Sequence, residues 1–171
     1  MVLNKNIVLI GMMGSGKSTI GFLLSKKINL KFIDIDNYIE NEEGMKIHEI
    51  FKKKGEKYFR IKEKEMCLQK LKDKNTVIAL GGGAFIEPAI REVVLKTSVS
   101  FWLDLSIKNL SKRFKTLKKR PLIDENNLEE SLNNIYQKRK GLYNLANFKI
   151  DCNETEKSLI IKKIAEIYES N

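Results

Sequence analysis

Only two cysteines, Cys67 and Cys152, and one histidine, His48, occur among the 171 residues. The cysteines lie far apart and outside any metal-ligand spacing, which excludes a disulfide scaffold and a zinc centre. Each is expected to be a small, partly buried thiol. His48, between Ile47 and Ile50, is expected to serve a helix surface or packing, because no second histidine exists to share a metal with it. No apolar stretch approaches the roughly 18 residues of a membrane span. Met1-Val2-Leu3-Asn4-Lys5 lacks the apolar core of a secretory signal, so a cytoplasmic protein without membrane association is expected. There are no repeats and no low-complexity linker, and the length suits a single domain with a substantial core.

Acidic residues are the scarcer sign, with 22 Asp and Glu against 32 Lys and Arg and a net charge of +10. A basic tail and an aromatic-interleaved strand of the RNA-binding kind are both missing. The lysines are scattered through helical segments, as at Lys52-Lys53-Lys54 and Lys162-Lys163. The excess therefore predicts a solvated surface, no nucleic-acid partner, and a field that favours small anionic substrates.

What the chain does have is Gly11-Met12-Met13-Gly14-Ser15-Gly16-Lys17-Ser18-Thr19, directly after the apolar run Ile7-Val8-Leu9-Ile10. Ile20, Leu23, Leu24 and Ile28 follow at helical spacing. Strand, glycine-rich loop and helix make a phosphate cradle, with backbone N–H groups turned inward and the helix N-terminus adding partial positive charge. Gly14, Ser15, Gly16, Lys17, Ser18 and Thr19 are the candidate nucleotide-binding residues. In such a loop Lys17 reaches the β- and γ-phosphates of a nucleoside triphosphate, and the Ser18 hydroxyl ligates Mg2+.

Further along, Phe32–Asp36, Thr76–Leu80, Val99–Leu103 and Phe148–Asp151 read as strands, alternating with helical patterns. Gly44 and Gly55 interrupt those patterns, and Pro88 opens a short helix. The alternation predicts an α/β sandwich with a mostly parallel sheet. Residues 115–127, basic and interrupted by Pro121, read as a mobile lid, and residues 128–146 as helix. Ligands in such sheets gather beyond the carboxyl ends of the strands, where the phosphate loop, Asp34, Asp36 and Gly81-Gly82-Gly83 all fall.

Two further absences narrow the nucleotide chemistry. There is no Asn-Lys-x-Asp motif for guanine, and the strand 76–80 ends in three glycines rather than an acidic magnesium ligand. Asp34 and Asp36 are the available carboxylates. Two apart on a strand, both would face the cleft. Asp36 would alternatively cap a helix starting at Tyr38.

These features together resemble the shikimate kinase family over nearly the whole chain. The resemblance is carried by residues 11–18, Asp34-Ile35-Asp36, Phe59-Arg60, Gly81-Gly82-Gly83, Arg120-Pro121-Leu122 and Arg139 before Leu142-Tyr143. It implies a three-layer αβα P-loop kinase fold with a five-stranded parallel sheet in the order 2-3-1-4-5. It also implies one kinase domain spanning 1–171, with substrate-binding helices at about 36–72, a lid at about 115–127 and a monomeric state. The implied reaction moves the γ-phosphate of ATP to the 3-hydroxyl of shikimate, on the way to chorismate and the aromatic amino acids. By the same resemblance Arg60 and Arg139 hold the substrate carboxylate, and Gly82 and Gly83 admit it closely. Asp36 orients or deprotonates the hydroxyl, and Asp34 meets magnesium through water. Arg120 closes on the transferring phosphoryl group, and Arg113 stacks on adenine. Where the family often has proline before the Leu-Tyr pair, this chain has Gly141, which implies a looser helix end. The runner-up is a gluconate kinase-like or other small-metabolite P-loop kinase. From another class, the basic balance suggests an ATP-using RNA-binding module.

Overall fold

The structure, a computed structural model, describes residues 5–114, 121–123 and 125–170. Five parallel strands form one sheet in the order β2-β3-β1-β4-β5. They are β1 (Asn6–Ile10), β2 (Lys31–Asp34), β3 (Thr76–Ala79), β4 (Ser98–Asp104) and β5 (Phe148–Asp151). Helices α1 (Lys17–Lys27), α2 (Ile35–Glu43), α3 (Ile47–Lys70), α4 (Pro88–Thr97), α5 (Ile107–Phe114), α6 (Leu128–Tyr143) and α7 (Lys157–Glu169) flank it. The implied sheet order and the parallel arrangement are both found.

The central strand explains the continuous apolar run in the sequence. Every residue of β1 is buried, and Ile7 stands opposite Val77 on one side and Val99 on the other. A parallel sheet covered on both faces leaves no solvent side, so polar alternation disappears. Asn6 is the polar exception at the strand's entrance. Its Oδ1 accepts the Thr76 N–H at 3.1 Å, and its Nδ2 donates to Leu71 O and Asp73 O, which docks the start of β3 beside β1.

Several expectations change. The second strand ends at Asp34, and Asp36 lies in the first turn of α2. Asp34 itself caps that helix, its Oδ1 accepting from Asn37 N at 3.2 Å, so Asp36 caps nothing at Tyr38. The expected interruption at Gly55 is found: its φ 84°, ψ 164° are not helical, and α3 is two helical stretches meeting at a kink there. Helix α6 runs through Gly141 to Tyr143 without a break and ends before residue 146. Among the described residues, no helix is long and apolar enough to cross a membrane. Cys67 and Cys152 are free thiols, fully rather than partly buried, and His48 is exposed near the start of α3. Arg120 and most of the predicted lid lie outside the described residues.

Candidate active site

At the carboxyl ends of β1, β2 and β3 lies a cleft of about 570 Å³, floored by the loop between β1 and α1. Gly14, Ser15, Gly16, Lys17, Ser18 and Thr19 all line it, facing Asp34, Asp36, Gly82 and Arg113. Lys17 is the first residue of α1 and is 8% exposed. Its Nζ donates to Gly11 O at 2.9 Å and Met12 O at 2.8 Å. The loop's own carbonyls thus aim the ammonium along the cradle. Arg113, at the end of α5, donates from Nη1 to Gly14 O at 3.1 Å and so lies over the loop. At the far end of the cleft are Cys152, Thr155 and Lys157. Burial pushes the Cys152 thiol up to about 12, which leaves it protonated and without nucleophilic character.

A second, smaller cavity opens beside the first and shares Met13, Asp36 and Gly82 with it. Arg60, Glu63, Gly83 and Arg139 line this second space, with Phe51 and Phe59 as apolar wall. Arg139 donates from Nη1 to Gly82 O at 3.0 Å, and the Tyr143 hydroxyl donates to the same oxygen. One carbonyl of the triple glycine thereby receives two side chains of α6, one on either side of Gly141. Arg60 donates from Nη1 to Glu63 Oε2 at 2.7 Å, and from Nη2 to Glu56 Oε1 at 3.1 Å. The glycines are needed for close approach. A Cβ on Gly81 would overlap Glu63 Oε1 and lie 2.8 Å from Asp36 Oδ1, and one on Gly83 would lie 2.7 Å from Arg60 Nη1.

Sequence reasoning missed Glu63 and Tyr143. Glu63 is 3% exposed; burial pushes its carboxyl above the ordinary value, while Arg60 and then Arg139 oppose the rise. Burial likewise pushes the Tyr143 hydroxyl up, with Arg139 opposing. The available signal was spacing. Glu63 follows Arg60 by three and Tyr143 follows Arg139 by four, so each shares a helix face with a candidate arginine. Of the predicted site residues, the structure brings all but Arg120 to the two adjoining cavities; Arg120 falls outside the described residues.

Chemically, the larger space offers a glycine-rich loop at the N-terminus of α1 and a buried ammonium, suited to a polyphosphate. The smaller offers two guanidinium groups, suited to a carboxylate. Asp36 is the acidic residue lining both.

The protein family model described as shikimate kinase matches residues 13–169. A shikimate kinase of Sulfurihydrogenibium sp. (strain YO3AOP1) is 39% identical over 160 residues, covering 94% of this chain and 95% of the relative. Among solved structures, shikimate kinase from Acinetobacter baumannii in complex with shikimate matches with a TM-score of 0.92 at 32% identity, over 98% of this chain and 94% of that one. Shikimate kinase from Aquifex aeolicus vf5 matches with a TM-score of 0.84 at 34% identity, over 97% of each chain.

Proposed function

The chain belongs to the shikimate kinase family, and from that membership we propose how its own residues carry out the reaction. It phosphorylates shikimate at the expense of ATP. The observation that carries the assignment of roles is the place of Asp36, at the junction of a cleft lined by the glycine-rich loop and one lined by Arg60 and Arg139.

In this reading the β- and γ-phosphates lie on the loop amides and Lys17, with Thr19 and Arg113 toward the rest of the nucleotide. Shikimate enters the smaller cavity with its carboxylate between Arg60 and Arg139, against Gly82 and Gly83. Arg60 then exchanges its exposed partner Glu56 for the substrate and keeps the buried Glu63. That seat turns the 3-hydroxyl toward Asp36. The hydroxyl oxygen bonds to the γ-phosphorus as the bond from γ-phosphorus to the bridging oxygen breaks. The electron pair leaves with ADP, and the hydroxyl proton passes to Asp36. Arg120 is assigned to the charge on the transferring group, where an arginine acts on the outer oxygens.

Magnesium fits the donor set present. Among the described residues no group of three or more His, Cys, Asp or Glu side chains could hold a metal. Ser18 and Asp34 both line the phosphate cleft, and Mg2+ characteristically takes few protein ligands and completes its shell with water and phosphate oxygens. When bound there it neutralises phosphate charge, with Ser18 and Asp34 as the residues that would hold it.

ADP release measured side by side with shikimate, gluconate and nucleoside monophosphates tests the substrate. Shikimate should react far faster than the others, and comparable turnover of gluconate would overturn the reading. A finer test is Arg60→Lys, which keeps the charge and loses the planar fork. Shikimate binding should weaken by about 1–3 kcal/mol, the range for a charged hydrogen bond, with ATP affinity little changed. Unaltered shikimate affinity would return Arg60 to the class of surface cations.

A further inference from the structure

Helix α3 changes direction at Gly55, whose φ of 84° and ψ of 164° suit glycine and strain any other residue. The two halves contribute separately to the smaller cavity. Ile47 and Phe51 come from before the bend, and Phe59, Arg60 and Glu63 from after it. The Phe51 and Phe59 rings meet across it with centroids 4.9 Å apart. The angle at Gly55 therefore sets how far the apolar wall stands from the arginine that receives the carboxylate. Nothing lies within 4 Å of where a Cβ on Gly55 would be, so packing at this position does not hold that angle.

Besides the Phe51–Phe59 contact, a carboxylate from another helix spans the bend. Glu43, the last residue of α2, accepts from Lys54 Nζ at 2.5 Å and from the Tyr58 hydroxyl at 2.8 Å. Lys54 also donates to the Tyr58 hydroxyl at 3.3 Å and stands 4.6 Å from its ring centroid. Lys54 immediately precedes Gly55, and Tyr58 follows it. The Glu43 side chain is only 6% exposed. The Lys54 hydrogen bond, and after it that of Tyr58, holds its carboxyl below the ordinary value, so it is ionised at neutral pH. Other contacts from α2 engage one half of α3 at a time. Glu40 takes Lys46 and the Ile47 N–H at the start of α3, while Glu42 meets Lys62 and the Tyr38 ring meets Lys70 beyond the bend.

We propose that Glu43 is a positioning residue for shikimate: by clasping Lys54 and Tyr58 on either side of Gly55, it fixes the bend of α3 and so the spacing between the Phe51 wall and Arg60. Both halves are thereby referred to α2, the same helix that carries Asp36 in its first turn. The inference rests on the reading that the smaller cavity receives shikimate.

Steady-state kinetics in both substrates test it, on the wild-type protein, Glu43→Gln, Tyr58→Phe and the control Glu42→Gln. Glu43→Gln should raise the KM for shikimate about tenfold, the scale of one charge-assisted hydrogen bond, with the KM for ATP and kcat at saturating shikimate within about twofold of wild type. Tyr58→Phe keeps the ring under Lys54 and removes one hydroxyl, so it should move the shikimate KM in the same direction by less. It decides the matter alone if Glu43→Gln fails to fold. Glu42→Gln loses only a 3.7 Å contact between partly exposed side chains and should match wild type. An unchanged shikimate KM, an ATP KM that rises in step with it, or an equal effect in Glu42→Gln would each overturn the clasp. A wild-type protein that does not turn over shikimate would instead overturn the functional reading beneath it.

Discussion

Lys17→Ala protein should fold and yet lose turnover by at least about 10²–10³-fold, or about 2.7–4 kcal/mol of barrier, the cost of removing one preorganised donor from a developing charge. The ammonium is aimed before any substrate arrives, because Gly11 O and Met12 O hold Nζ inside the loop. No reorganisation is then needed as charge builds on the phosphates, which is the condition under which such a group contributes most. Removing it leaves the sheet untouched, since the core residues nearest in sequence, Ile10, Met12 and Ile20, keep their own burial. Thermal unfolding is the necessary companion measurement, with a shift of about 2–4 °C per kcal/mol expected for a chain of this size. Lost turnover with a nearly preserved Tm supports the phosphate cradle. Near-normal turnover would remove Lys17, and the loop with it, from the chemistry.

The features legible in the sequence were those with a local cause. β1 and β3 are buried on both faces and so appear as apolar runs, Ile7–Ile10 and Val77–Leu80. The phosphate loop needs its glycines and its lysine within a few residues, so it stands out without any tertiary information. Asp36 was placed in the right cleft for a wrong reason. An isoleucine between two aspartates imitates strand alternation, whereas Asp34 in fact turns the chain by capping α2. Spacing could put Glu63 and Tyr143 on the helix faces of Arg60 and Arg139, but their contacts with Gly81 and Gly82 join segments distant in sequence. Gly141 looked like a weak point and is a solvent-facing helix residue with nothing within 4 Å of its would-be Cβ. Its cost is only the intrinsic penalty of glycine in a helix, about 1 kcal/mol relative to alanine.

Asp36→Asn should cut kcat by about 10²–10⁴-fold, the usual contribution of a positioned acid–base group, while shikimate still binds. Asparagine retains the shape and one carbonyl acceptor, so it can go on receiving a hydrogen bond from a substrate hydroxyl. What it cannot do is take the proton, and it also removes a negative charge from a site that holds the buried Glu63. A Cβ on Gly81 would contact both of those carboxyl groups, which places them side by side across one glycine. Burial holds the Glu63 carboxyl above its ordinary value, and Arg60 and then Arg139 oppose the rise. Asparagine is nearly isosteric with aspartate, so Asp36→Asn should leave the fold close to wild type in stability. The pairing of near-normal shikimate binding and undiminished stability with a large loss of kcat separates proton transfer from mere substrate orientation. Binding by calorimetry, unfolding by heat, and kcat across pH on the same preparation measure the three quantities. An Asp36→Asn enzyme that keeps most of its kcat would show that the hydroxyl needs only an acceptor to orient it, and that its proton leaves by another route.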